Sequence, residues 1–182
     1  MKRGTDLLFI HGPPAAGKLT VAKAILQIVP GELLDNHSFI DVAKPVFQFG
    51  TTEFWEMVKK TRLSAIDTAI KLDVPLLVST SCYSHPEDYE AFEEVESIIT
   101  RSNGRVFPVF LSCPPKALKD RVGNQDRVER QKLVTSSGLD EFLSHWSIAP
   151  VPRANCFKID SEKNSEIENA NTIIKHFSLK RN

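Results

Sequence analysis

The chain has 182 residues, and its 23 Lys and Arg balance 23 Asp and Glu to a formal net charge of zero. That length suffices for one compact domain with a real core, and charge this evenly balanced and dispersed excludes the basic footprint of a dedicated nucleic-acid binder. No apolar run reaches bilayer length, and three cysteines, Cys82, Cys113 and Cys156, an odd count without paired spacing, argue against a disulfide framework or a zinc site. The opening MKRGTD runs straight into apolar residues, without the stretch and cleavage site of a secretory signal. The expectation is a cytoplasmic protein with reduced thiols, and neither membrane nor nucleic acid among its partners.

Short apolar runs alternate with longer amphipathic stretches, the pattern of an α/β fold with a parallel sheet covered on both faces. Residues 7–11 (LLFIH) read as the first strand. From residue 17 (GKLTVAKAILQIV) the spacing of Val21, Ala24, Ile25 and Ile28 predicts a helix that stops before Pro30. Residues 32–35 form a short second strand. Residues 51–72 read as a long helix capped by Thr51 or Thr52, with Phe54, Val58, Leu63, Ile66 and Ile70 at helical spacing. Residues 75–79 (PLLVS) are a third strand, uniformly apolar as a strand covered on both faces should be. His85-Pro86 opens a helix over 87–100. Residues 105–111 (RVFPVFL) are a fourth strand, in which Pro108 points to a bulge or an edge-like position. Residues 156–159 (CFKI) are a fifth, followed by a helix around 165–177. Residues 114–152 differ: charge is dense, apolar periodicity fades after Leu118, and PP and PVP bound the stretch. It reads as a short helix, a mobile part over 123–130, and another short helix near 139–146.

The most informative stretch is FIHGPPAAGKLT, a glycine-containing turn between a buried strand and a helix. Gly12 and Gly17 admit backbone conformations closed to other residues, so the N–H groups of Gly12, Pro13, Pro14, Ala15, Ala16 and Gly17 (the prolines aside) can converge on phosphate oxygens. The helix start adds its positive dipole end, and Lys18 a mobile full charge for the β- and γ-phosphates. The strict pattern places Ser or Thr directly after the lysine to meet magnesium. Here Leu19 stands there, and the hydroxyl comes one residue later at Thr20. A one-residue shift on a helix rotates a side chain by about 100°, so Thr20 does not replace that ligand. The reading is therefore an ATP site without a direct protein ligand to the metal; Mg2+ near Thr20 would be held through water, phosphate and carboxylates.

The loop, and the layout of the chain around it, resembles the P-loop kinases of small molecules, the group that includes adenylate, shikimate and gluconate kinases. At Lys18-Leu19-Thr20 the chain is similar to adenylate kinases, which also have a non-hydroxyl residue and then Thr. Only the loop is specific; the rest matches by order and spacing. The resemblance implies the three-layer P-loop NTPase fold as a single domain over 1–182. Its five-stranded parallel sheet has the order 2-3-1-4-5, with an acceptor region after strand two and a lid at about 115–150.

It also implies roles. Asp35, directly after the second strand, corresponds to an aspartate that binds the acceptor hydroxyl in shikimate-type kinases, and His37 and Arg62 stand where acceptor contacts are made. Arginines of the lid close over ATP, which nominates Arg127 for charge developing on the transferred phosphoryl group and Arg121 for stacking on adenine. The loop around Asp160 corresponds to one that holds an edge of adenine. Each residue also has a plainer use. Asp35-Asn36 fits a capping turn, Lys59, Lys60 and Arg62 fit a solvated helix face, and Asp126 and Glu129 can pair with the arginines.

The expected function is an ATP- and Mg2+-using kinase of a small hydroxylated metabolite, with Lys18, Asp35 and Arg127 as its catalytic set. A nucleotide-binding regulatory or adaptor protein is the alternative from another class, motivated by Leu19 and by the absence of a carboxylate at Ser79, Thr80 and Ser81. A nucleoside monophosphate kinase is a further alternative, weakened because Arg62 is the one arginine between Asp35 and His85. No Asn-Lys-x-Asp motif for reading guanine occurs.

Overall fold

The computed structural model describes residues 4–130 and 132–180. Strands β1 (Asp6–His11), β2 (Glu32–Asp35), β3 (Leu76–Ser81), β4 (Val106–Ser112) and β5 (Phe157–Asp160) form one parallel sheet in the order β2-β3-β1-β4-β5. The helices are α1 (Lys18–Leu26), α2 (Asn36–Ala43), α3 (Thr52–Lys71), α4 (Tyr89–Arg101), α5 (Pro115–Val122), α6 (Gln125–Glu129), α7 (Ser136–His145) and α8 (Glu166–His176). The three-layer fold expected from the sequence is the fold observed.

Successive strand residues face opposite sides of a sheet, and the core divides accordingly. Leu8, Ile10, Val109 and Leu111 pack with Val21, Ile25, Leu118, Leu139 and Ile173 beneath α1, α5, α7 and α8. Leu7 and Leu77 face the other way, toward Phe39, Phe54, Val58, Ile66, Phe92 and Ile99 of α2, α3 and α4. None of the helices is long and apolar enough to cross a membrane, among the described residues.

Three elements depart from the sequence expectation. Residues 36–43 are a helix, α2, not a turn. Asn, His and Ser open it with weak propensity, and its burial of Phe39, Ile40 and Ala43 against the sheet sustains it. The third strand runs on to Ser81, so Ser79 and Thr80 lie inside it and Cys82 is the first residue beyond. Residues 123–130 are not a bare mobile stretch, for they contain α6. This helix buries no residue, which is why apolar periodicity missed it. It is tied down by Arg127, whose guanidinium donates to the carbonyls of Val122 (3.2 Å) and Leu133 (2.7 and 3.2 Å). Pro108, for its part, occupies an internal strand, opposite Phe9 of β1. Pairing with β5 starts only at Val109, and the Val106 carbonyl on that side is met by the Asn155 side chain (3.2 Å). The proline is thus edge-like on one side only, where no ladder partner would use its missing N–H.

Candidate active site

In this order of strands β1 is the switch point, with β3 on one side and β4 on the other. A crevice opens there at the carboxyl ends of the strands, where ligands of open α/β sheets bind. The cleft measures about 1420 Å³, above the ~300–1,000 Å³ of a typical single-ligand pocket.

The chain leaves β1 through a loop with three positive φ angles, 147° at Gly12, 65° at Ala15 and 88° at Gly17. At Gly12 the geometry admits no side chain, since a Cβ would fall 2.3 Å from the Leu111 carbonyl oxygen. Positive φ at Ala15 costs about 1 kcal/mol, a strain of the kind that persists where a loop is shaped for a ligand. Gly17 then caps α1 without a side-chain hydrogen bond, and the first turn carries no acidic residue. The first N–H groups of α1 have no intrahelical acceptor, and with the dipole they present a positive end to the cleft. Pro14, Ala15, Ala16, Gly17, Lys18, Leu19 and Thr20 all line the cleft; Gly12 and Pro13 are buried behind it. Lys18 folds back over the loop. Its ammonium donates to the carbonyls of Gly12 (2.8 Å) and Pro13 (2.6 Å) and lies 3.3 Å from the Cys82 sulfur.

Asp35 ends β2 and caps α2, yet makes no side-chain capping bond. Only 5% exposed, it accepts from the Thr80 hydroxyl (2.5 Å) and from Arg130 (2.5 Å). Burial works against its charge, but Thr80 and the positive charges of Lys132 and Arg130 outweigh that and hold the carboxyl below the usual range. His37, in the first turn of α2, hydrogen-bonds the Arg130 carbonyl through Nε2 (2.9 Å); burial pushes its pKa down, partly offset by that carbonyl. Arg62 projects from α3 and donates to the Asn36 side chain. Its burial lowers its pKa from the ordinary value, opposed by the nearby Asp88 carboxylate. Trp55, Val58, Arg62 and Ile66 recur along one face of α3 and line the cleft, joined at the mouth by Phe49. Phe49 and Trp55 meet edge to face at 5.7 Å, and both remain exposed.

Opposite the phosphate loop stands the chain from α5 to α7. Arg121 donates to the Ser161 carbonyl (3.3 Å), which brings it against the turn after β5. Asp160 itself does not line the cleft: its carboxylate caps the Glu162 N–H (3.0 Å) and pairs with Lys163 (3.4 Å). From the same turn and the helix that follows it, Ser161, Asn164 and Asn169 line the wall. Arg127 lines the cleft with its guanidinium hydrogen-bonded to carbonyls, and the Asp126 carboxylate acts on it through its charge; Glu129 takes the Gln125 amide (3.3 Å).

Four groups escaped the sequence reading: Thr80, Arg130 as the partner of Asp35, Lys132, and the Phe49–Trp55 pair. The basic spacing of Arg127, Arg130 and Lys132 was a usable signal. Thr80 had none, because its role comes from the pairing of β2 with β3, which sets it opposite Asp35.

These residues do not fit a protein-coordinated metal. Among the described residues no three His, Cys, Asp or Glu side chains come close enough to hold one. Leu19 supplies no oxygen, Cys82 follows β3 where a carboxylate would serve, and Asp35 is already engaged by Thr80 and Arg130.

No protein-family model matches the chain, and a search of curated proteins returns no match. Solved structures do resemble it. A sugar kinase from Janibacter aligns over 94% of this chain and 95% of its own, with TM-score 0.64 and 17% identity. The APS kinase of Mycobacterium tuberculosis, in complex with AMPPNP and APS, aligns over 97% of this chain and 99% of its own, with TM-score 0.63 and 15% identity. A gluconokinase from Sinorhizobium meliloti aligns over 97% of this chain and 94% of its own, with TM-score 0.61 and 14% identity. At such identities the likeness establishes the fold.

Proposed function

We propose that this chain, which has the fold of the P-loop small-molecule kinases, is a kinase that transfers the γ-phosphoryl group of ATP to the hydroxyl of a small metabolite. The observation that carries the reading is the meeting, in one cleft, of an anion-binding loop with Lys18, a buried carboxylate at Asp35 and basic side chains from residues 115–150. Phosphoryl transfer asks mainly for positioning and charge stabilisation. In this reading the N–H groups of residues 15–20 hold the phosphates, and Lys18 exchanges its carbonyl acceptors for the β- and γ-oxygens. Arg121 and the turn after β5 flank the base, and residues 115–150 act as the lid, from which Arg127 meets the transferred group.

Asp35 receives the acceptor hydroxyl. The hydroxyl oxygen bonds to the γ-phosphorus as the bond to the β–γ bridging oxygen breaks, ADP departs, and the hydroxyl proton passes to Asp35 or to water. A carboxylate kept below its usual pKa is a weak base, so its first task is orientation; its basicity recovers once Arg130 turns away. His37 and Arg62 complete the acceptor side, Arg62 with N–H groups suited to an anionic or hydroxylated partner. Magnesium has no seat on these side chains and no step is assigned to it. Leu19, and Ser81-Cys82 in place of a carboxylate directly at the end of β3, favour one second reading, a nucleotide-binding regulator without transfer.

The deciding experiment is a calorimetric titration of ATP into the wild type and Lys18→Ala, followed by ADP-release assays across hydroxylated metabolites. Binding lost by about a hundredfold in the variant, together with acceptor-dependent ADP formation, is the expected result. Binding without any acceptor-dependent ADP supports the regulator, and no ATP binding by the folded wild type removes both.

A further inference from the structure

The lid holds a cation that the reaction above does not use. Lys132 follows α6, and its backbone N–H donates to the Arg127 carbonyl (3.0 Å), which fixes the residue beside that arginine. Its side chain lines the cleft and is half-buried. Among the described residues no side chain or carbonyl accepts a hydrogen bond from its ammonium or pairs with it. Burial therefore lowers its pKa, and the charges that reach it are those of Asp35, Arg130, Arg127 and Lys18. A half-buried ammonium without an acceptor is costly. Three further cations around it raise the cost, and the one carboxylate in reach already serves Thr80 and Arg130.

The surroundings explain what would satisfy it. Lys18, at the base of the cleft, lies on the loop that receives the β- and γ-phosphates, and Arg127 hangs over the same space with its guanidinium partly committed to carbonyls. A cleft whose facing walls carry an excess of positive charge, in a chain of zero net charge, is complementary to a polyanion. The two positions that ordinarily seat a metal on the phosphates carry no such oxygen, since Leu19 follows the lysine and Cys82 follows β3.

We propose that Lys132 is a fourth phosphate-binding cation, and that with Lys18, Arg127 and Arg130 it lets the cleft bind the triphosphate without a metal ion. The inference rests on the nucleotide reading of the site. In it, the side chains supply the charge neutralisation that other sites share with a coordinated metal. Lys132 approaches the terminal phosphate from the lid side, so its contribution is larger for ATP than for ADP.

The test is calorimetry of ATP and of ADP binding to the wild type, Lys132→Ala and Lys132→Arg, each with excess Mg2+ and with a chelator. Circular dichroism melts of each variant show that it is folded. The expected result is that the wild type binds ATP with affinities less than about tenfold apart in the two conditions. Lys132→Ala is expected to weaken ATP by about tenfold or more, the scale of a charge-assisted contact, to weaken ADP less, and to be largely restored by Lys132→Arg. Wild-type binding at least about tenfold tighter with Mg2+ overturns the inference while leaving the kinase reading in place. So does an Lys132→Ala loss that is smaller, or equal for ATP and ADP. Absence of ATP binding in both conditions removes the nucleotide reading itself.

Discussion

The two walls of the cleft are made of different material. The phosphate-loop wall is backbone: positive φ angles at Gly12, Ala15 and Gly17, an uncapped helix start, and a lysine resting on two carbonyls. The opposite wall is side chain: Asp35 held by Thr80 and Arg130, His37 against a carbonyl, Arg62 on Asn36, and Arg127 bracing α6. Backbone geometry is local and cannot be altered without changing the fold. A web of charged side chains is assembled from elements distant in sequence, and it can be rearranged when a ligand arrives. In the kinase reading proposed above, the first wall serves any nucleoside triphosphate, and the second is where a particular acceptor is selected.

Substitutions on each wall sharpen this contrast. The largest effect is expected from Asp35→Ala, which should lower turnover with the identified acceptor by about a thousandfold, roughly 4 kcal/mol of transition-state stabilisation. ATP affinity measured by calorimetry should stay nearly unchanged. An equal loss of both would mean that the side-chain wall serves the nucleotide as well.

On the backbone wall, Gly12→Ala should cost about 3 kcal/mol of stability in urea titration, through the collision of its Cβ with the Leu111 carbonyl and the positive φ. His11, beneath that loop, joins the two walls: its Nε2 accepts from the Val151 N–H (3.0 Å), and burial lowers its pKa to about 4. The folded state thus keeps the ring neutral while the unfolded chain takes up a proton below about pH 6.5. The unfolded state binds more protons in that window, so stability falls as the pH drops from about 6.5 to about 4, by about 3 kcal/mol. His11→Gln should remove that component; identical pH dependence in both proteins would show that the ring carries none of it. The smallest effect belongs to Gly17→Ala. A Cβ there meets nothing within 4 Å, so only the φ of 88° is penalised, by about 1 kcal/mol. A Gly17→Ala loss as large as that of Gly12→Ala would mean that space, the feature that separates them, is not what decides.

The same division explains what could be read from the sequence. The loop was legible because its signal is contiguous: a strand, two glycines and a lysine within a dozen residues. The strands were legible from uniform apolar runs, and α3 from its spacing and its cap, the Thr51 hydroxyl accepting from the Phe54 N–H (3.3 Å). Helix α6 was not, because it is held by guanidinium–carbonyl bonds and leaves no apolar trace. Asp35 was found through the family resemblance, but its partners were hidden. Thr80 is 45 residues away and Arg130 95, separations at which only tertiary structure decides which charges meet. Asp160 was nominated by position alone, and its carboxylate is satisfied locally by the turn it caps.

In the proposed kinase reading, the Arg130–Asp35 pair makes the protein its own competitor. An acceptor hydroxyl seeking Asp35 must displace a guanidinium that is already there, so the free protein presents a lowered affinity, scaled by the small fraction in which the pair is open. A triphosphate in the cleft offers Arg130 a better anion and releases the carboxylate. Nucleotide and acceptor then assist each other through one exchanged side chain, and reciprocity requires the acceptor to tighten nucleotide binding by the same factor. Water entering alone meets an arginine on Asp35, which would protect ATP from idle hydrolysis until the true acceptor is present.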